Sequence, residues 1–241
     1  MDVKEFSEKN NLTLLTKEIM IALMTYIDAH CHLLKETELL DAQLVGVKQL
    51  MVNSAKPEEW EKVLSLKKEG IIPCIGLHPW YVSEATEDWD KEIEKILTEN
   101  PDVQVGEIGL DKLKPDFLKQ KHIFLTQLKL AQKYNRVASI HCVRAWGEMM
   151  PLLRDFKKNT RMLFHGFSGD KIAVGFLTDS NSYFSVHNGT KIPLVPADKL
   201  LIESDAPDGM DSPVALPFLY QQLGVKAEQI KINFERLMNG R

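Results

Sequence analysis

Hydrophobic and polar positions follow two alternating patterns along most of the chain. Short runs that are apolar throughout are separated by longer stretches in which apolar residues return at helical spacing. Strands that are covered on both faces read as continuous apolar runs, as in a buried parallel sheet. The pattern therefore predicts an α/β fold. The predicted strands are residues 25–28, 45–52, 71–76, 103–107, 137–141, 161–165, 183–186 and 200–203.

The intervening segments carry amphipathic helical patterns. The longest, "FLKQKHIFLTQLKLAQKYN", places four residues on one face, as expected of a helix that packs on a sheet: Phe124, Gln127, Leu128 and Ala131. Eight strands with intervening helices favour a (β/α)8 TIM-type barrel over a doubly wound sheet. Residues 187–199 leave little room for a crossover helix, and Pro193 and Pro196 disfavour one. We expect the seventh helix to be reduced or absent.

The barrel is expected to form one domain over residues 24–241, because no Pro/Gly/Ser-rich linker or short repeat interrupts it. Residues 1–23 precede the first strand and have no obvious place in the barrel. We interpret them as an N-terminal extension that is disordered, an accessory helix or the product of a mispredicted start. Met24 directly precedes the first strand, where a compact form of the domain can begin.

Composition narrows the possible partners. The chain has 241 residues, is 44% hydrophobic and 27% charged, and carries a formal net charge of −4, as an ordinary globular protein does. A protein that coats duplexes through its overall field is normally basic, so a nucleic-acid substrate has to be held locally. Three cysteines suit a reducing compartment, and no apolar run approaches the roughly 18 residues of a membrane span. We expect a cytoplasmic protein without membrane association.

The first strand leads into "IDAHCHL", residues 27–33, where two histidines are separated by one residue. Side chains alternate between the faces of a strand, so His30 and His32 share one face and Cys31 points to the other. This argues against Cys31 as a ligand or redox partner, and we interpret it as a small buried hydrophobe. A single histidine pair is weak evidence for a metal, because core histidines commonly bond to backbone carbonyls.

Ionisable residues also end four later apolar runs. A charge at such positions is unfavourable unless it is paired or coordinated. In a barrel these strand ends converge at the C-terminal mouth, where active sites lie. Four histidines and two carboxylates exceed a closed tetrahedral zinc site; they suit two divalent ions bridged by a carboxylate, or one ion with open positions. The six candidate ligands are His30, His32, Glu107, His141, His165 and Asp205.

Eight stretches occur in order between residues 27 and 237: "IDAHCHL", "GLHPW", "VGEIGLD", "KQKHIFLTQLKLAQK", "IHCVRA", "FHGFSG", "LLIESDAP" and "NFERL". Together they resemble the TatD family of metal-dependent deoxyribonucleases and related hydrolases, within the amidohydrolase-like barrels. The resemblance implies that the same six residues bind divalent ions, with Glu107 as the bridge. Two ions are expected, of zinc, manganese or magnesium. The implied substrate is DNA, as single strands or at ends, cleaved by a metal-activated water.

Other residues near the predicted mouth are candidates for catalysis or substrate binding. By the resemblance, His78 in "GLHPW" contacts the scissile phosphate or assists proton transfer rather than binding metal. Asp205, beside the activated water, is the candidate general base. Arg144 is a candidate phosphate contact, although an ion pair at a helix start explains it equally well. No family motif covers His187, which we interpret as a loop residue. Four aromatic residues ring the mouth, where one or two can stack on bases: Trp80, Tyr81, Trp146 and Phe167.

The sequence departs from the family pattern beside the last ligand. Ser204 stands where the family commonly has threonine, and the stretch after Asp205 lacks the usual Arg-Asn-Glu-Pro element. Because that stretch borders the substrate site, two alternatives stay open. One is a metal-dependent hydrolase of an amide, lactone or aminoacyl ester, and the other is a non-catalytic scaffold or adaptor that retains the barrel.

Overall fold

The computed structural model of the chain describes residues 25–240, which form an eight-stranded parallel sheet rolled into a nearly closed barrel. Each strand pairs with the next along the chain, in the order β1 to β8. The strands are β1 Tyr26–Cys31, β2 Val47–Asn53, β3 Ile71–Ile75, β4 Gln104–Asp111, β5 Val137–Val143, β6 Arg161–Phe164, β7 Ser182–Val186 and β8 Leu200–Ile202. The predicted (β/α)8 architecture is confirmed, whereas the expected extension 1–23 lies outside the described residues.

Helices follow the strands and cover the outside of the barrel. They are α1 Glu36–Leu44, α2 Trp60–Ser65, α3 Trp89–Glu99, α4 Phe117–Lys133, α5 Trp146–Leu153, α6 Lys171–Leu177, α7 Leu216–Leu223 and α8 Ala227–Asn239. The buried face of α4 contains Phe124, Gln127, Leu128 and Ala131, as its periodicity predicts. Between β7 and β8 the described chain forms only a 3₁₀ turn, Ile192–Leu194. The reduction of the seventh helix is therefore confirmed.

The strands supply the core of the barrel. All residues of β1, β4 and β7 are buried, which explains why these segments read as mainly apolar runs that do not alternate with exposed polar positions. Among residues 25–240, none of the helices is both long enough and apolar enough to cross a bilayer.

The fourth strand is longer than predicted. It does not end at Glu107 but continues to Asp111, which places Glu107 inside the barrel wall. Glycines on both sides of Glu107 explain the difference. A Cβ atom on Gly106 would lie 2.4 Å from Asn53 Oδ1, and one on Gly109, whose φ is +150°, would lie 2.0 Å from the carbonyl oxygen of His141. These glycines allow close strand approach, although in the sequence they interrupt the apolar pattern.

The barrel closes between β1 and the residues after β8. The backbone N–H of Asp205 donates to the carbonyl of His30 at 3.0 Å. The buried carboxylate of Asp28 accepts hydrogen bonds from the backbone N–H of Ser204, at 2.9 Å, and from its hydroxyl, at 2.6 Å. Burial raises the pKa of Asp28 to about 7, although the bonds from Ser204 oppose this rise. Asp28 therefore fixes the segment that carries Asp205.

We predict that Ser204→Ala lowers the free energy of unfolding by about 1–3 kcal/mol, because it leaves a buried oxygen of Asp28 without its hydroxyl donor. Urea denaturation measures this change. The control is Ser65→Ala, since the exposed Ser65 hydroxyl bonds only to the carbonyl of Lys62. Equal losses in the two variants would contradict a specific role for the contact between Ser204 and Asp28.

Candidate metal centre

The end of β1 places two imidazoles side by side at the mouth of the barrel. The Nε2 atoms of His30 and His32 lie 3.1 Å apart. Cys31 is buried on the opposite face, where its Sγ approaches the carbonyl of Met51 at 3.5 Å. Burial raises the pKa of the Cys31 thiol well above its usual range, which makes it unreactive. The predicted alternation of faces is confirmed.

The carboxylate of Glu107 lies at the centre of the histidine cluster. Its Oε2 atom lies 2.8 Å from His32 Nε2 and 3.3 Å from His30 Nε2. Its Oε1 atom lies 2.6 Å from His165 Nε2 and 2.8 Å from His141 Nδ1. Each oxygen therefore faces its own pair of the predicted histidine ligands, and the structure brings together five of the six predicted ligands.

The spacing of the paired histidine nitrogens is close to that of ligands on one metal ion. His141 Nδ1 and His165 Nε2 lie 3.2 Å apart, similar to the other histidine pair. In a tetrahedral shell with metal–nitrogen bonds of about 2.0–2.1 Å, neighbouring ligand atoms are separated by about 3.3 Å. Although three histidine nitrogens crowd the buried Glu107 Oε1, none meets it with hydrogen-bond geometry. The residues present therefore fit divalent cations.

Asp205 reaches this cluster from the turn that follows β8. Its Oδ1 atom lies 3.8 Å from His30 Nε2. One ligand atom from each of His30, His165 and Asp205 lies within 4.8 Å of the others. Burial raises the pKa of Asp205 to about 6. The sixth predicted ligand therefore also lies at the cluster, at its solvent-facing side.

The charge of Glu107 is compensated by the histidines around it. Burial by itself would raise the pKa of Glu107, but the surrounding imidazoles, His165 foremost, outweigh burial and hold the pKa well below its usual range. The carboxylate is therefore ionised at neutral pH, as a metal ligand has to be.

The second ring nitrogens of His30 and His32 are held by polar groups on β5 and β2, respectively. His30 Nδ1 contacts the hydroxyl of Ser139 at 2.9 Å, and His32 Nδ1 contacts the carbonyl oxygen of Asn53 at 3.0 Å. Such partners fix the orientation of a metal-binding imidazole. Sequence reasoning missed both residues, because a serine or an asparagine inside an apolar run carries no signal of its partner.

Carboxylates approach the other two histidines from behind. Asp111 Oδ2 lies 3.7 Å from His141 Nε2, and Glu203 Oε1 lies 3.9 Å from His165 Nδ1. Sequence reasoning gave neither Asp111 nor Glu203 a role. The available signal was the position of Glu203 at the end of the apolar run "LLIESD", two residues before Asp205.

His78 points an N–H group, not a lone pair, at the cluster. Its Nδ1 accepts the backbone N–H of Trp80 at 3.2 Å, and burial lowers its pKa to about 4, so the neutral ring carries its proton on Nε2. That Nε2 lies 3.0 Å from Glu107 Oε1. The loop is fixed by Gln127, which bonds both backbone groups of Leu77, at 2.7 and 3.0 Å. A donor suits a substrate contact better than metal binding.

The cluster opens into a pocket of about 300 Å³. Trp80 and Tyr81 line it, whereas Trp146 and Phe167 pack against each other with ring centroids 5.5 Å apart. Arg144 directly follows β5 and is exposed; within residues 25–240 it forms no ion pair, and the pocket-lining residues do not include it. The pocket lining consists of His32, Ala55, Glu59, His78, Trp80, Tyr81, Glu107, His141, His165, Asp205, Pro207 and Asp208.

Two lysines accompany the aromatic residues of the pocket. Lys114 Nζ lies 4.0 Å from the centre of the Trp80 ring, and Lys56 Nζ lies 5.6 Å from the centre of the Tyr81 ring. The Trp80 indole N–H donates to Asp111 Oδ2 at 2.7 Å, although the side chain is 45% exposed. The rim therefore offers a fixed aromatic surface beside positive charge.

Comparison with known proteins agrees with this geometry. The family model described as TatD related DNase matches residues 27–233. The chain is 28% identical over 206 residues to an uncharacterized metal-dependent hydrolase, YjjV, of Escherichia coli K12, covering 76% of this chain and 80% of that protein. It is 26% identical over 235 residues to a 3'-5' ssDNA/RNA exonuclease TatD of Erwinia tasmaniensis, covering 82% and 91%.

The fold is also similar to a solved structure. The crystal structure of YjjV, a TatD homologue from Escherichia coli K12, superimposes with a TM-score of 0.80 and 25% sequence identity. The match covers 89% of this chain and 98% of that one. Sequence and structure therefore indicate the same family over nearly the whole described chain.

We predict that Glu107→Gln weakens divalent-metal binding by roughly 100-fold or more. Removing only a hydrogen-bond partner of a metal ligand already lowers metal affinity about 10–100-fold, and Glu107 contacts the predicted ligands directly. Metal content after dialysis against buffered zinc, measured by mass spectrometry, checks this. Glu59→Gln is the matched control, since Glu59 lines the same pocket but bonds to the backbone N–H of Ala55. Unchanged metal content in Glu107→Gln would contradict the central role of this carboxylate.

Proposed function

Because the chain belongs to the TatD-related DNase family of metal-dependent hydrolases, we propose that it is a deoxyribonuclease that cleaves single-stranded DNA or DNA ends. The observation that carries this proposal is the arrangement around Glu107 at the floor of an open pocket. His30 and His32 face one of its carboxylate oxygens, and His141 and His165 face the other. Paired divalent ions held in this way suit displacement at a phosphodiester.

Two divalent ions are proposed for the centre. One would be held by His30, His32 and Glu107 Oε2, and the other by His141, His165 and Glu107 Oε1. Asp205 would complete the donor set. Imidazole ligands favour zinc and carboxylate ligands suit manganese, whereas magnesium prefers a shell of oxygen ligands. When bound, such ions act as Lewis acids and lower the pKa of water to about 7.

Asp205 is proposed to accept a proton during the reaction, and His78 is proposed to donate a hydrogen bond to the substrate. Asp205 accepts the proton of the attacking water, and its pKa of about 6 leaves the carboxylate largely ionised at neutral pH. His78 directs its Nε2–H towards the same space, where it donates a hydrogen bond to a phosphate oxygen or to the leaving oxygen. The protein supplies both groups already oriented, because Asp28 and Gln127 fix the segments that carry them.

Features of the rim support a single-stranded substrate. Trp80 presents an exposed ring on which a base can stack, and Lys114 and Lys56 add positive charge for phosphates. A pocket of about 300 Å³ is of a size suited to one nucleotide. The name of the Erwinia relative, an exonuclease of single-stranded DNA and RNA, is consistent with this substrate class.

Asp205→Asn is expected to lower kcat by about 10²–10⁴-fold while the barrel stays folded, because the amide cannot accept the water proton. A fluorescent single-stranded DNA assay gives the rate, and circular dichroism verifies the fold. Asp208→Asn, which lines the same pocket, serves as the control. Full activity in Asp205→Asn would mean that another group is the base.

His78→Ala should lower kcat roughly 10- to 100-fold with metal content unchanged, because it removes a hydrogen-bond donor rather than a ligand. Mass spectrometry of the metal and the DNA assay are run on the same sample. His122→Ala removes an exposed histidine of α4 and is expected to change neither. Loss of one metal equivalent in His78→Ala would instead make His78 a ligand.

A substrate panel separates this proposal from its alternatives. We expect wild-type protein to cleave single-stranded DNA faster than an amide, a lactone or an aminoacyl ester at equal concentration. Faster ester or amide cleavage would favour the alternative hydrolase, since the segment after Asp205 departs from the family pattern. No turnover of any substrate by metal-loaded protein would favour a scaffold role.

A further inference from the structure

The geometry points to a further divalent-cation site, formed by His187, Glu203 and Asp205. We propose that it binds a zinc- or manganese-like ion in addition to the ions of the main centre. One ligand atom from each of the three residues lies within 4.8 Å of the others. His187 Nδ1 and Glu203 Oε1 are separated by 3.4 Å, close to the separations of the main histidine pairs.

Pairing of the last two strands brings these residues together. His187 directly follows β7, and Glu203 directly follows β8. The backbone N–H of Glu203 donates to the carbonyl of Val186 at 3.2 Å, which sets the two strand ends in register. In the described chain only a 3₁₀ turn occupies the connection after His187, so the imidazole remains 32% exposed and reachable from solvent.

Glu203 is a fixed carboxylate rather than a mobile surface acid. Its side chain is fully buried. The backbone N–H of Gly166 donates to Oε1 at 2.6 Å, and the hydroxyl of Ser185 donates to Oε2. These two donors hold the carboxylate in one orientation, which lowers the entropic cost of binding a cation. A cation bound between Glu203 and Asp205 would also stabilise these two neighbouring carboxylates.

The donor set indicates the class of ion. One imidazole nitrogen and two carboxylate oxygens suit zinc or manganese, and they leave coordination positions open for water or for a phosphate of the substrate. Asp205 would be shared with the main centre, whose other ligands are all different residues. The inference does not depend on which bond the enzyme cuts.

Glu203 also has a competing role, because its Oε1 lies 3.9 Å from His165 Nδ1 and can orient that imidazole. If this were its only role, His187 would simply cap Glu203 from the solvent side. Removing His187 would then leave the number of bound ions unchanged, so the two roles predict different metal contents.

The test counts bound zinc. Metal-free wild-type protein, His187→Ala, His187→Asn and the control His122→Ala are equilibrated with buffered zinc, and zinc per chain is measured by mass spectrometry. Thermal unfolding is followed in parallel, and His187→Asn, which keeps a polar side chain, provides the comparison if His187→Ala fails to fold. We expect wild type and His122→Ala to bind one equivalent more than both His187 variants.

Equal zinc content in all four proteins would overturn the inference. Single-stranded DNA cleavage measured on the same wild-type sample keeps this result separate from the proposed function. If wild type cleaves DNA and the zinc contents are equal, the additional site is wrong and the nuclease proposal stands. If the difference of one equivalent is found without DNA cleavage, the additional site stands and the nuclease proposal fails.

Discussion

A buried carboxylate surrounded by imidazoles is the constraint on which this structure depends. Transfer of an ionised glutamate into a protein interior is strongly unfavourable unless charge or hydrogen bonds compensate it. Glu107 is 2% exposed, and His32, His141 and His165 place nitrogens within 2.8 Å of its oxygens. These histidines follow or belong to β1, β5 and β6, so the compensation exists only when the barrel is assembled. Folding of the barrel and formation of the site are therefore one process.

The surrounding structure keeps this cluster in place. Asp28 ties the segment after β8 to β1 through Ser204, and this contact positions Asp205 at the seam of the barrel. On the other side, two glutamines on the buried face of α4 hold mouth loops: Gln127 bonds to Leu77 and Gln120 bonds to the backbone of Asp111. These two glutamines, on an otherwise apolar helix face, thus position the backbone segments that carry residues of the site.

The fold was predictable because buried parallel strands and amphipathic helices have distinct periodicities. All eight predicted strands overlap strands of the structure, and the reduction of the seventh helix followed from two prolines in a short connection. The end of β4 was predicted wrongly. Gly106 and Gly109 look like a strand end in the sequence, whereas in the barrel they permit close contact with neighbouring strands. Such a contact depends on residues distant in sequence, which a local pattern does not contain.

The sequence by itself determined the chemistry of the site: which residue types end the strands, and that alternation directs His30 and His32 to one face and Cys31 to the other. Only the tertiary structure decided which histidines face each oxygen of Glu107, and that the ring nitrogen of His78 directed at the cluster is the one that carries the proton. It also joined His187, a loop residue by its sequence, to Glu203 and Asp205. Periodicity fixes the face on which a side chain lies, whereas distances of a few ångströms depend on strand register and loop path.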